Sequence, residues 1–198
     1  MLVLVRHGEA EGNAAKVLLG RADSPLTERG RSQAAALAPV LGDAGRVISS
    51  PLVRARDTAA ALGLGVALEV DDRWAEVDYG EYEGRSLSSV ESSTWEKWRL
   101  DPASAWPGGE SLVEVSQRVR QACEELFAAE GTGARAETDV VVVSHVSPIK
   151  AAVAWALGTG VEVVWRLYLA NSSVTRVAWG GRAPVLRSYN ETVDAGLS

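Results

Sequence analysis

Four-residue runs of aliphatic side chains with no polar alternation constrain this chain more than any other feature. Leu2-Val3-Leu4-Val5 and Val140-Val141-Val142-Val143 leave no face for water, so each reads as a strand covered on both sides, as in a parallel sheet flanked by helices. Val47-Ile48 reads as a third, shorter strand, and Val174 to Trp179 and Val185 to Tyr189 as two more. The segments between them carry helix signals. Thr27 to Leu41 is alanine-rich behind a cap-like Thr27, Pro51 to Leu62 has Ser50 as N-cap and Pro51 at N1, and Leu112 to Ala129 follows the Pro107-Gly108-Gly109 turn. The pair Ser147-Pro148 supplies the cap and first turn of another helix, which runs to about Leu157 before Gly158. Strands alternating with helices predict an α/β fold, a three-layer α/β/α sandwich with a mostly parallel central sheet.

At 198 residues, 46% hydrophobic and 23% charged, the chain suits one domain, 1–198, with a sizeable core. A formal net charge of -6 argues against an extended cationic face, so no nucleic-acid partner is expected and an anionic ligand would need a local cluster of Arg and His. Cys123 is the only cysteine, so an intrachain disulfide is impossible and the expected compartment is the cytoplasm. The apolar start breaks at Arg6 after four residues, too short for a membrane span or signal-peptide core. No targeting segment and no membrane partner are expected.

Three strand ends carry the polar residues that suit a phosphate. Val5 runs into Arg6-His7-Gly8, Ile48 into Ser49-Ser50-Pro51 with Arg54 a turn later, and Val143 into Ser144-His145. That edge of an open α/β sheet is where ligands bind, and helices starting at Pro51 and Pro148 would aim free N–H groups at the same crevice. The sequence holds only two histidines, and both follow a strand at this edge. One alone would read as a satisfied core or surface residue; two beside arginines do not. Guanidinium forks match the oxygens of a phosphomonoester with paired hydrogen bonds that an ammonium cannot reproduce. Two histidines without an H-x-D or H-E-x-x-H arrangement make a poor metal site, so neither metal nor cofactor is expected.

Arg6-His7-Gly8-Glu9 followed by Asn13 resembles the R-H-G-E-x-x-x-N signature of the histidine phosphatase, or phosphoglycerate mutase-like, superfamily. Gly20-Arg21-x-Asp23-x-Pro25-Leu26-Thr27-x-x-Gly30 and Ser50-Pro51-Leu52-x-Arg54-Ala55 are similar to its next blocks. Ala75-Glu76-x-x-Tyr79-Gly80-x-x-Glu83-Gly84, Gly108-Gly109-Glu110-Ser111 and Val143-Ser144-His145 resemble the rest, in family order. The resemblance implies a phosphatase acting on a small phosphomonoester, with His7 as the nucleophile that forms a phosphohistidine. It implies that Arg6, Arg54 and His145 neutralise the phosphoryl oxygens, with Asn13 and Arg21 at the pocket rim. Glu76 falls at the family's proton-donor position, where a neighbouring dianionic phosphate favours the protonated carboxyl. Glu81 and Glu83, in the same acidic stretch, read as surface glutamates.

The chain departs from the family pattern after the second histidine, where Val146 replaces the usual glycine and alters how the backbone approaches the phosphate. The string S-H-V-x-P-I-K resembles the acid phosphatase domain of actinobacterial ribonuclease H/acid phosphatase proteins. Since the chain opens on the phosphatase block, no ribonuclease domain is expected. The family's cap insertion falls at about 77–110. Within it Lys97 and Arg99 are the only bases from Ser86 to Trp106, a poor grip on a bisphosphate, which favours phosphatase over phosphoglycerate mutase. Trp95, Trp98 and Trp106 could line a substrate pocket or pack on the body, while Trp74, Trp155, Trp165 and Trp179 read as structural. A mutase and a non-catalytic phospho-ligand-binding protein are the alternatives. The physiological phosphomonoester and the oligomeric state stay open.

Overall fold

The computed structural model describes residues 1–131, 138–179 and 181–193. Six strands form one sheet: β1 (Leu2–Arg6), β2 (Ala44–Ser49), β3 (Leu68–Val70), β4 (Asp139–Ser144), β5 (Val174–Trp179) and β6 (Pro184–Glu191). Their order is β3-β2-β4-β1-β5-β6. The first four run parallel, and β5 pairs antiparallel with both β1 and β6. Among the described residues seven α-helices accompany them: α1 (Glu11–Ala14), α2 (Glu28–Ala35), α3 (Ala38–Leu41), α4 (Val53–Leu62), α5 (Ser92–Leu100), α6 (Leu112–Gly131) and α7 (Val146–Leu157).

The unalternated runs behave as the physics of a two-sided sheet requires. Leu2, Leu4, Val140 and Val142 pack against α6 and α7, whereas Val3, Val5, Val141 and Val143 pack with Val47 against α3 and α4. Every residue of Leu2–Val5 is completely buried, and burying each such side chain stabilises by about 1.5–3 kcal/mol. The result is a three-layer α/β/α sandwich with a mostly parallel sheet.

Four local readings are corrected. Thr27 does cap, accepting from the Gly30 N–H at 2.9 Å, but the helix stops at Ala35 and a separate short turn, α3, takes up Ala38–Leu41 with Pro39 in its first turn. Helix α4 starts at Val53, not Pro51: Ser50 Oγ accepts from the Leu52 N–H at 3.2 Å in a turn before the helix, and Leu52, in extended conformation, takes the N-cap position. Helix α7 starts at Val146 with His145 in the N-cap position. Three of the N–H groups expected to face an anion at these helix starts are already taken. Val53 donates to Asp23, and Val146 and Ser147 donate to Glu76.

Candidate active site

Register brings the two histidines together. Arg6 on β1 lies opposite Ser144 on β4, and the His7 N–H donates to the Ser144 carbonyl at 3.0 Å. The rings of His7 and His145 stand 4.9 Å apart, tilted by 57°. Ser50 at the end of β2 completes the row, its Oγ 2.7 Å from His145 Nε2. The loop after His7 presses on the start of α2 so closely that a Cβ on Gly8 would lie 2.3 Å from the Gly30 carbonyl oxygen. Glycine is what this backbone approach admits.

Hydrogen bonds assign the protons on the rings. His7 Nδ1 lies 2.7 Å from the Gly8 carbonyl, an acceptor only, so Nδ1 carries the hydrogen and a neutral ring keeps its lone pair on Nε2. Burial, then Arg54 and Arg6, hold the His7 pKa well below the ordinary imidazole value. His145 is held down likewise, by burial and then Arg54. Its Nδ1 is buried without a partner.

The arginines are part-buried and buried cations held mainly by carbonyls, with acidic groups near but none in salt-bridge contact among the described residues. Arg54, fully buried, donates to the carbonyls of Ala22 at 2.9 Å, Gly20 at 2.7 Å and Leu19 at 3.3 Å. Arg6 donates to Leu169 O at 2.7 Å. Neither forms an ion pair among the described residues, and the Nε of each is buried without a partner. Burial pushes the Arg54 pKa down to about 10 and lowers that of Arg6. Leaving a charge in such a place is costly unless an opposite charge arrives.

Glu76 stands across from them. Its carboxylate accepts from the N–H groups of Val77 at 2.9 Å, Val146 at 3.0 Å and Ser147 at 3.1 Å, so Val146 meets the site through its backbone. Arg21 and Asn13 sit further out. The Arg21 guanidinium reaches Glu110 at 3.3 Å, and Asn13 Oδ1 accepts from Ala10 N at 3.0 Å. Asn171 links that amide to the His7 carbonyl, with Nδ2 contacts of 3.4 and 3.5 Å.

Two groups escaped the sequence reading. Glu83, taken for a surface glutamate, accepts from the N–H groups of Gly20, Arg21, Ala22 and Tyr79 at 2.8–3.3 Å. It thereby fixes the loop whose carbonyls hold Arg54. Arg118 donates to the main-chain oxygens of Arg73 and Glu76 and pairs with Glu110, clamping the Glu76 segment to α6. For Glu83 the available signal was its place in the block Ala75-Glu76-x-x-Tyr79-Gly80-x-x-Glu83-Gly84. The cap tryptophans pack on the body: Trp98 and Trp106 are buried in the main core cluster, in edge-on contact with Tyr79. Trp165, read as purely structural, meets Trp98 edge-on at 5.1 Å and lines a hollow with it.

A mostly parallel sandwich with paired histidines at its carboxyl edge is a fold of the phosphoglycerate mutase-like class. The chain belongs to the histidine phosphatase superfamily (branch 1), whose family model matches residues 2–192. It is 37% identical over 201 residues to the bifunctional protein Rv2228c of Mycobacterium tuberculosis, covering 96% of this chain and 54% of that protein. The chain thus spans about half the length of that relative. Glucosyl-3-phosphoglycerate phosphatase of the same organism is 37% identical over 154 residues, 73% of this chain and 69% of that one. The solved structure of a mycobacterial glucosyl-3-phosphoglycerate phosphatase with VO3 matches with a TM-score of 0.87 at 34% identity, covering 96% of this chain and 98% of that chain.

Proposed function

We propose that this chain is a phosphomonoester phosphatase that works through a phosphohistidine at His7 on a small phosphorylated metabolite. One observation carries the reading: a neutral His7 with its Nε2 lone pair free stands among three buried, unpartnered nitrogens, Nε of Arg6, Nε of Arg54 and Nδ1 of His145. A phosphoryl group satisfies all three at once. His7 Nε2 attacks phosphorus as the ester P–O bond breaks, and Glu76 in its carboxyl form gives its proton to the departing alkoxide. Arg6, Arg54 and His145 hold the equatorial oxygens. For His145, the Ser50 hydroxyl donates to Nε2 and leaves Nδ1–H for the phosphate. Glu76, now a carboxylate, takes a proton from water as the resulting hydroxide attacks the phosphohistidine, which releases phosphate and restores neutral His7.

The reading includes residues 1–198 acting as one unit with 77–110 as a cap, a cytoplasmic setting, no nucleic-acid partner, and catalysis without metal because guanidinium and imidazole groups supply the positive charge. Asn13 and Arg21 support the rim rather than the reacting atoms. No helix among the described residues is long and apolar enough to cross a membrane. Rapid mixing with labelled substrate in EDTA, quenching and peptide mapping test the proposal. An acid-labile adduct on His7, lost in His7→Ala, is expected. Label on another residue, dependence on added metal, or isomerisation of phosphoglycerates outpacing phosphate release would overturn it.

A further inference from the structure

Next to the candidate site lies this hollow, of about 100 Å³, walled by Tyr79, Trp95, Trp98 and Trp165 and faced by Ser147 and Lys150 of α7. That volume is well under the roughly 300–1,000 Å³ of a drug-sized pocket, so it admits a short carbon skeleton only. Its place relative to the chemistry is fixed by Ser147, which lines the hollow and also donates its N–H to Glu76 at 3.1 Å. If Glu76 serves the leaving oxygen, as the phosphatase reading on which this inference rests requires, the carbon bonded to that oxygen is directed here.

Among the described residues Lys150 is the only charged side chain lining the hollow. It is half-buried and forms no ion pair among the described residues. Burial lowers its pKa, Glu76 opposes the shift and Arg6 adds to it. An ammonium set among indole rings, with Glu76 near but not in salt-bridge contact, is poorly solvated, and an anion entering the hollow would restore what burial removed.

We propose that Lys150 reads a carboxylate on the leaving alcohol, which makes phosphomonoesters of short hydroxy acids the preferred substrate class. One ammonium matches the single charge of a carboxylate, and a hollow of about 100 Å³ with one cation leaves a dianionic second phosphoryl group half-neutralised. The two arginines of 77–110 are stacked on rings, Arg85 over Tyr82 at 4.5 Å and Arg99 over Trp165 at 5.4 Å from the centroid.

Two matched pairs test this, each differing in the carboxylate: 3-phosphoglycerate against glycerol 3-phosphate, and phosphoserine against phosphoethanolamine. Wild type should prefer the carboxylate member by about tenfold or more in kcat/KM, the worth of one charged hydrogen bond. Lys150→Gln, with Lys150→Met as a second variant, should bring the ratio close to one, and Lys150→Arg should keep most of it. The ratio cancels any general loss of activity. Equal rates within each pair in wild type, or a ratio retained in Lys150→Gln, would overturn the carboxylate reading while p-nitrophenyl phosphate hydrolysis left the phosphatase reading standing. Absence of phosphate release from every compound, p-nitrophenyl phosphate included, would sink the phosphatase reading and this inference with it.

Discussion

A guanidinium clamps a phosphate only as well as its own surroundings aim it, and the surroundings of Arg54 are three carbonyls of one loop. Glu83 holds that loop by accepting from three successive N–H groups, Gly20 to Ala22. In Glu83→Gln an amide NH₂ would replace one carboxylate oxygen and set donor against donor. Displacing the Arg54 fork by a fraction of an ångström to an ångström should lower kcat by about 10- to 100-fold. Initial rates and thermal melts on one preparation check this. Unchanged kcat would show that the loop holds Arg54 without Glu83, and a matching collapse of the melting temperature would make Glu83 a fold residue instead. The sequence exposed Arg6, His7, Arg54, Glu76 and His145 because each follows a strand or falls within a recognisable block. The roles of Glu83 and Arg118 stayed hidden because their partners lie 61–63 and 42–45 residues away, and a carboxylate in an acidic stretch looks solvated until its donors are known.

Among the elements, α7 couples the sheet edge to the proposed acid. Its first two N–H groups, at Val146 and Ser147, donate to Glu76, so one carboxylate both caps the helix and faces the arginines, whose electrostatic surroundings include it. Glu76→Gln keeps one acceptor oxygen but has no proton to give to a leaving alkoxide. Turnover of alkyl phosphates should therefore fall far more than that of p-nitrophenyl phosphate, whose phenolate departs without help. Because the cap is weakened too, stability should fall by about 1 kcal/mol. Equal losses on alkyl and aryl esters would remove Glu76 from proton transfer and leave it as a helix cap. The start of α7 illustrates the limits of local signals. Ser147-Pro148 looks like a cap and first turn, yet a buried carboxylate from a distant loop supplies the cap two residues earlier. Strand β3 escaped notice for a different reason: Leu68 and Val70 are 40% and 54% exposed, so no buried run marks it. In contrast β1 and β4 were legible, since a strand covered on both faces must be apolar at every position.

At the scale of the whole molecule, gathering two imidazoles and two guanidiniums at one buried edge ties folding to pH. His7 is 3% exposed and His145 completely buried, and both have pKa values well below the ordinary 6.5. Below that value the unfolded chain takes up protons that the folded chain refuses, so stability is full above about pH 6.5 and declines as the pH falls. With two such groups the slope approaches two protons, about 2.7 kcal/mol per pH unit. The carboxylates held low by their partners, such as Asp71 and Glu110, are lost only at more acidic pH, so the interval just under 6.5 belongs to the histidines. Denaturant titrations from about pH 8 to about pH 5 should show this fall in wild type, and each of His7→Gln and His145→Gln should remove about half of the slope. An oxyanion should stabilise the wild type throughout, because it meets the two unpaired arginines and binds only the folded chain. A flat wild-type profile, or a slope that survives in the double variant, would mean that the imidazoles exchange protons with solvent in the folded state and that this edge is more open than its geometry implies.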